Sequence, residues 1–282
     1  MPRPSPEAHT LAERYRLALL ETPTRGVMGE RMGRGVGSSL EFQDRRAYSV
    51  GDDVRHLDWR AFARTDQLMV RQYREEILPR VDLVLDASRS MGHDAEKAQL
   101  AVDLAVLLAK SGRADGLHVN VVRAGDRPEP LPLERLESDG VEFDGRGTLD
   151  TALAGLGALL RPGSLRVLVG DFLFPHEPRA LLQPLAGRGG GLAIVQVLAR
   201  EEVEPTLSSA LRLVDCESDA TLDLVVDRVT IDRYRERLAR LSKALEDETR
   251  RLGARHARIV AGASLGDACR DLLVPARIVA PA

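Results

Sequence analysis

The chain has 282 residues, 44% hydrophobic and 29% charged, with a formal net charge of -3. That apolar share supports a sizeable packed core and excludes wholesale disorder. The near-balanced charge excludes a global pull toward nucleic acid. The longest apolar run, residues 101–109, is about half a membrane span and carries Asp103, so no membrane segment is expected. Two cysteines, Cys216 and Cys269, sit in neither a zinc nor a redox spacing, which points to a reducing, cytoplasmic setting. Lysine occurs only at Lys97, Lys110 and Lys243, and the preference for arginine reads as compositional bias.

In chain order, residues 6–21 read as an amphipathic helix, with Leu11, Tyr15 and Ala18 at helical spacing and Pro23 as the stop. Residues 25–37 are a Gly- and Arg-rich loop. Short strands are expected at 39–43 and 68–73, with a polar segment, 51–60, between them. After Pro79 the texture becomes α/β. Strands are expected at 81–85, 117–122, 165–170, 192–198 and 257–260. Helices are expected at 95–110 (with Gly112 as C-cap), 148–160, 177–186, from about 230 onward, and 265–273. A weaker strand pair lies at 211–214 and 221–226. Strands alternating with helices of this length imply a mostly parallel sheet covered on both faces. The expected organisation is 1–39 (helix and loop), 40–80 (β-rich) and 81–282 (α/β).

In such a sheet ligands bind beyond the carboxyl ends of the strands. After the first α/β strand stands Asp86-Ala87-Ser88-Arg89-Ser90, before a later helix stands Gly147-Thr148, and after another strand stands Asp171. Carboxylates and hydroxyls without sulfur or imidazole suit Mg²⁺ or Ca²⁺ rather than zinc. The competing reading is a capping turn, in which Asp and Ser satisfy backbone amides before a helix. Arg89 offers a second competitor, because a guanidinium can pair with Asp86 or Asp171 in place of a cation.

The Asp-x-Ser-x-Ser loop, the later Gly-Thr and the strand-terminal Asp resemble the metal-ion-dependent adhesion site of von Willebrand factor A-type domains. That resemblance implies a three-layer, Rossmann-like α/β fold. It also implies a cation, Mg²⁺ first, held by Asp86, Ser88, Ser90, Thr148 and Asp171, with one position left for a partner's acidic side chain. A second resemblance spans nearly the whole chain. Glu41-Phe42, Arg46-Ala47-Tyr48, Gly51-Asp52-Asp53-Val54-Arg55, Asp58-Trp59 and Ala63-Arg64 are similar to the signature of the bacterial domain-of-unknown-function 58 (DUF58) family. Relatives commonly show Glu-Thr-Gly where this chain has Cys216-Glu217-Ser218. The family resemblance implies a non-enzymatic adaptor that works with a MoxR-type AAA+ ATPase on a client protein.

Arg55, Trp59 and Arg64 of the signature, with Arg89, are candidate partner contacts, since Trp and Arg are common interface anchors. The competing reading is structural: a turn network of Asp and Arg, with Trp59 buried as its anchor and Asp58 pairing or capping. Nucleic acid is a weak candidate, because residues 25–80 hold eleven arginines against nine acids. Two rival functions stay open: a metal-free structural scaffold, and a phosphohydrolase with Asp86 as nucleophile. Against the latter, a haloacid-dehalogenase-like site calls for Asp-x-Asp.

Overall fold

The first helix, α1 (Pro6–Arg14), begins where the Ser5 hydroxyl accepts the Ala8 amide at 3.3 Å, with Pro6 contributing a φ already suited to helix. It buries Ala8, Leu11 and Ala12. It ends at Arg14, short of the expected residue 21. Tyr15 turns extended, and β1 (Tyr15–Leu17) pairs antiparallel with a strand from the far end of the chain, Tyr15 opposite Pro281. The computed structural model describes residues 1–18, 40–49, 55, 57–75, 80–187, 190–205 and 208–282. The expected loop 25–37 lies outside these residues, as do 51–54 and 56 of the polar segment.

Two compact units result: Met1–Thr24 together with Pro79–Ala282, and Arg25–Leu78. The first helix therefore belongs with the α/β unit, where it packs on a long helix described below, rather than with a separate stretch of 1–39. The smaller unit contains β2 (Leu40–Ala47), α2 (Trp59–Thr65) and β3 (Met69–Glu75). The two strands pair antiparallel, with a register shift between Phe42 and Asp44.

The larger unit continues with β4 (Arg80–Asp86), α3 (Arg89–Gly92), α4 (Ala95–Ala114), β5 (His118–Ala124), β6 (Glu129–Pro130), α5 (Leu133–Asp139) and α6 (Leu149–Gly155). There follow β7 (Leu165–Gly170), α7 (Pro178–Gly187), β8 (Gly191–Leu198), α8 (Arg200–Val203), β9 (Ser208–Val214), β10 (Thr221–Val226) and α9 (Arg228–Arg251). The chain closes with β11 (Arg255–Val260), α10 (Leu265–Ala268) and β12 (Val279–Pro281), the partner of β1. Six strands form one sheet in the order β11-β8-β7-β4-β5-β6, all parallel except β6.

β4 lies inside this sheet, and every residue after Arg80 is buried. Its side chains alternate as a strand requires. Val81, Leu83 and Leu85 meet Leu104, Leu107 and Leu108 of α4 on one face. Val84 meets Leu149 of α6, Leu182 of α7 and Leu245 of α9 on the other. Burial of each such leucine stabilises the fold by roughly 1.5–3 kcal/mol. The fold is thus mixed α/β with a mostly parallel sheet between helices.

Several boundaries moved. Gly112 is not a cap but lies inside α4, where an added Cβ would stand 2.8 Å from Val119 Cγ2 and 2.9 Å from Leu17 Cδ1. Gly116, at φ +75, takes the left-handed turn after the helix. The helix expected at 148–160 is α-helical to Gly155 and continues as a 3₁₀ turn, Leu156–Ala158. The last helix passes into a π turn, Cys269–Leu273.

Candidate cation site at the carboxyl end of the sheet

The chain runs from β4 to β5 on one side, then returns to place β7 on the other side of β4. The carboxyl ends of β4 and β7 therefore flank the point where strand order reverses, the usual ligand crevice of an open parallel sheet. Asp86 ends β4, and Asp171 follows Gly170, the last residue of β7. Both are buried. An added Cβ on Gly170 would stand 3.0 Å from Asp86 Oδ2, so a bare strand end makes room for that carboxyl.

The loop after Asp86 is held tightly. The Ser88 amide donates to Asp86 Oδ1 at 2.9 Å, and the Ser88 and Ser90 hydroxyls lie 3.0 Å apart. A second loop is clasped to the first through main chain. The Gly145 amide donates to Ala87 O at 3.0 Å, and the Arg89 amide donates to Gly145 O at 2.9 Å. Thr148 follows on that second loop, but its hydroxyl engages Asp150 and lies 3.2 Å from the Thr151 hydroxyl in its own helix.

Lys97, one turn into α4, is fully buried. Its Nζ donates to Asp171 Oδ2 at 2.8 Å, to Glu202 Oε1 at 2.7 Å and to Ser90 O at 3.2 Å. Asp171 Oδ1 accepts the Leu173 amide at 3.0 Å, so both oxygens of this carboxylate are engaged. Burial alone would lower the Lys97 value, but Asp171 and Glu202 outweigh it and hold the ammonium above its ordinary range. Burial raises Glu202 despite the ammonium beside it. Asp86 has no basic side chain within ion-pairing distance among the described residues. Burial, and then the charge of Asp171, push its carboxyl up to about 7 against the opposing Ser88 donors.

A hairpin tip covers this loop. Glu217 Oε1, between β9 and β10, accepts the Ser90 amide at 3.2 Å. Arg89 pairs with Asp219 at 3.6 Å and donates to Cys216 O at 3.5 Å. The expected Arg89 competition for Asp86 or Asp171 is therefore not what occurs: Lys97 takes Asp171, and Arg89 is turned to the tip. Sequence reasoning missed Lys97, Glu202 and Glu217. The available signal was Lys97 itself, a rare lysine on an apolar helix of an arginine-rich chain.

Asp86, Ser88, Ser90 and Asp171 thus converge, with Thr148 on a loop joined to them. Arg55, Trp59 and Arg64 belong to the other unit. Asp58 caps α2, accepting the Arg60 and Ala61 amides at 3.1 and 3.0 Å, as expected. The expected burial of Trp59 is corrected: it is 61% exposed, stacked edge-on against Phe62 at 6.4 Å. As first residue of a short helix whose buried residue is Ala61, its ring faces outward. Arg55 and Arg64 are exposed as well.

Among the described residues no three His, Cys, Asp or Glu side chains gather as a metal-ligating group. The oxygen set at the switch point is instead one carboxylate without a cationic partner, Asp86, beside two hydroxyls, and such donors fit Mg²⁺. Asp171 is committed to Lys97.

A mostly parallel α/β unit with buried carboxylates, Asp86 and Asp171, at its switch point is the class that fold and site define. The chain belongs to the DUF58 family: residues 44–248 match the family described as "Protein of unknown function DUF58". Curated relatives from Mycobacterium bovis and Mycobacterium tuberculosis, both described as uncharacterized proteins, are 29% identical over 226 residues, covering 74% of this chain and 71% of theirs. Two solved structures were also matched at low similarity. An aerotolerance-related membrane protein from Bacteroides fragilis aligns with TM-score 0.33 and 10% identity, over 62% of this chain and 98% of that one. BatB from Bacteroides thetaiotaomicron aligns with TM-score 0.34 and 10% identity, over 70% and 98%. Among the described residues no helix is long and apolar enough to cross a membrane.

Proposed function

We propose that this chain is a cytoplasmic protein-interaction adaptor of von Willebrand A-like architecture, recognising its partner at the carboxyl end of the sheet with the help of Mg²⁺. The observation that carries this reading is the imbalance of buried charge. Asp86 and Asp171 are buried with Glu202 half-buried beside them, while among the described residues Lys97 is the one ammonium that pairs there. Lys97 serves Asp171 and Glu202, which leaves Asp86 with Ser88 and Ser90 to take a cation. A bound divalent ion supplies charge and an open position for a carboxylate. This chain's own residues do the rest: Asp86 fixes the loop through the Ser88 amide, Gly145 clasps it, and Arg89 stands at the rim. The partner implied by the family resemblance is a MoxR-type AAA+ ATPase, acting with the adaptor on the assembly or maturation of a client.

Mg²⁺ titration with thermal unfolding tests the site. Ligand at about a hundred times its Kd stabilises the folded state by roughly 2.7 kcal/mol. For a unit of this size that corresponds to a rise of roughly 5–10 °C in Tm. The rise is expected to vanish in the Ser88→Ala/Ser90→Ala variant. A flat melting curve in millimolar Mg²⁺, with no calorimetric heat, sinks the cation. A second reading then takes over, favoured by the 2.8 Å Lys97–Asp171 contact: a metal-free scaffold in which the ammonium is the permanent counter-charge.

A further inference from the structure

The tip of the β9–β10 hairpin brings a further carboxylate to the candidate cation site. Among the described residues the ribbon pairs only with itself, and β10 is exposed or half-buried along its length. A two-stranded ribbon gains little stability on its own, so the contacts of its tip decide where it stands. Asp215 shapes that tip. Its Oδ1 accepts the Glu217 and Ser218 amides at 3.0 and 2.7 Å, and its carbonyl accepts the Asp219 amide at 3.0 Å. In the turn so formed Asp215, Ser218, Asp219 and Ala220 are exposed, whereas Cys216 and Glu217 are half-buried. Glu217 reaches the loop after β4, where Oε1 accepts the amide of Ser90, the residue whose hydroxyl lies beside that of Ser88. Among the described residues Glu217 Oε2 makes no hydrogen bond, and no basic side chain pairs with this carboxylate; Arg89 pairs with Asp219 instead. Burial, then the charges of Glu217 and Asp215, push the Cys216 thiol up, with Lys97 opposing and Glu202 adding, which puts the tip within electrostatic reach of the site.

Asp86, Asp171, Glu202 and Glu217 therefore gather at one end of the sheet, and among the described residues Lys97 is the one ammonium that pairs there. Like charges at close range disfavour one another, so a further carboxylate in this place calls for positive charge. A plain helix cap calls for none. The short helix α3 starts without a side-chain bond from Ser88, and an uncharged acceptor on the Ser90 amide caps it as well as a charged one. We infer that Glu217 is a ligand of the candidate cation site supplied by the chain itself: its carboxylate takes the position that the proposed function leaves to a partner's acidic side chain, and the hairpin is a latch that the partner displaces. The inference rests on the proposed function for the cation and adds to it a residue and a means of regulation.

The test is calorimetric titration of the full chain with MgCl₂ alone. Glu217→Gln keeps the side-chain size and an acceptor for the Ser90 amide while removing the charge. Its Kd for Mg²⁺ is expected to rise about tenfold or more. Asp223→Asn removes the same charge from an exposed pair with Arg212 on the same hairpin, and its Kd is expected to stay within about twofold of wild type. Hydrogen–deuterium exchange of residues 215–220 is the second readout. Mg²⁺ is expected to slow it about threefold or more in wild type and to leave it unchanged in Glu217→Gln. Circular dichroism melts in EDTA check that both variants fold. A wild type that binds no Mg²⁺ overturns the inference together with the proposed cation. Binding that Glu217→Gln weakens no more than Asp223→Asn overturns the inference alone and leaves Glu217 as the cap of α3. Tip exchange that Mg²⁺ fails to slow in a wild type that binds it overturns the latch and the inference with it.

Discussion

Replacing Lys97 with methionine keeps most of the side-chain volume and removes the ammonium. The two carboxylates it serves, Asp171 at 2.8 Å and Glu202 at 2.7 Å, are then left facing each other across a buried position. Breaking a buried ion pair by deleting one partner costs about 3–5 kcal/mol, because the orphaned charge stays desolvated. At 2–4 °C per kcal/mol for a unit of this size, that is a fall of roughly 10 °C in Tm. The loss has a pH signature. Burial raises Glu202 even with the ammonium beside it, and without Lys97 the carboxyl rises further. A carboxyl raised in the folded state binds more protons folded than unfolded, so the penalty is full at high pH and shrinks as pH falls. Urea unfolding of wild type and Lys97→Met at pH 8 and pH 5 reads both effects. A gap under about 1 kcal/mol at pH 8, or one that does not narrow at pH 5, refutes the assignment of Lys97 as counter-charge.

Trp59→Ala is expected to cost at most about 1 kcal/mol, since only an edge-on aromatic contact and an exposed ring are lost, whereas Asp58→Ala removes the cap of α2 and costs about 1 kcal/mol or more. Comparative urea melts that rank Trp59→Ala as clearly the worse variant would restore the buried-anchor reading. His256, on β11, has Nε2 buried without a hydrogen-bond partner, and burial, aided by Arg258 and opposed by Glu246, lowers its value. The unfolded chain then binds the proton more readily, so the stabilising contribution of the neutral ring is present above about pH 6.5 and is lost as pH falls below it. His256→Gln should flatten the dependence of Tm on pH between about 6.5 and 5, and an unchanged slope counts against it.

What could be read from the chain depended on how local its cause was. β7 was legible residue for residue, because Leu165 to Gly170 is an apolar run, interrupted by Arg166 alone, between Pro162-Gly163 and a polar Asp171. The hairpin β9–β10 and the start of α9 were legible from alternation and from helical spacing. The end of α1 was not, because its cause is pairing with Val279–Pro281. The cap of α4 was misread for a similar reason. Gly112 has the look of a stop, and only its packing against Leu17 and Val119 shows that it is interior, with Gly116 taking the turn. The position of Asp86, Ser88, Ser90 and Asp171 at the carboxyl end of the sheet was legible because strand ends are readable. Lys97 was not, because the fold brings it to Asp171 from 74 positions away. Trp59 failed because an aromatic beside a cap residue carries no information about which way its helix faces.

The main-chain clasp between Ala87, Arg89 and Gly145 has a consequence for solvent exchange. Amides in loops ordinarily trade hydrogen for deuterium quickly, since nothing but water competes for them. The Arg89 and Gly145 amides are bonded to each other's loops instead, and Ser88 bridges to Gly145 in parallel fashion as a strand would. These two loops therefore behave as an extension of the sheet and open together or not at all. Their deuterium uptake should follow β4 rather than the neighbouring Asp126–Pro128 turn, and a change that loosens either loop should release both amides at one common rate.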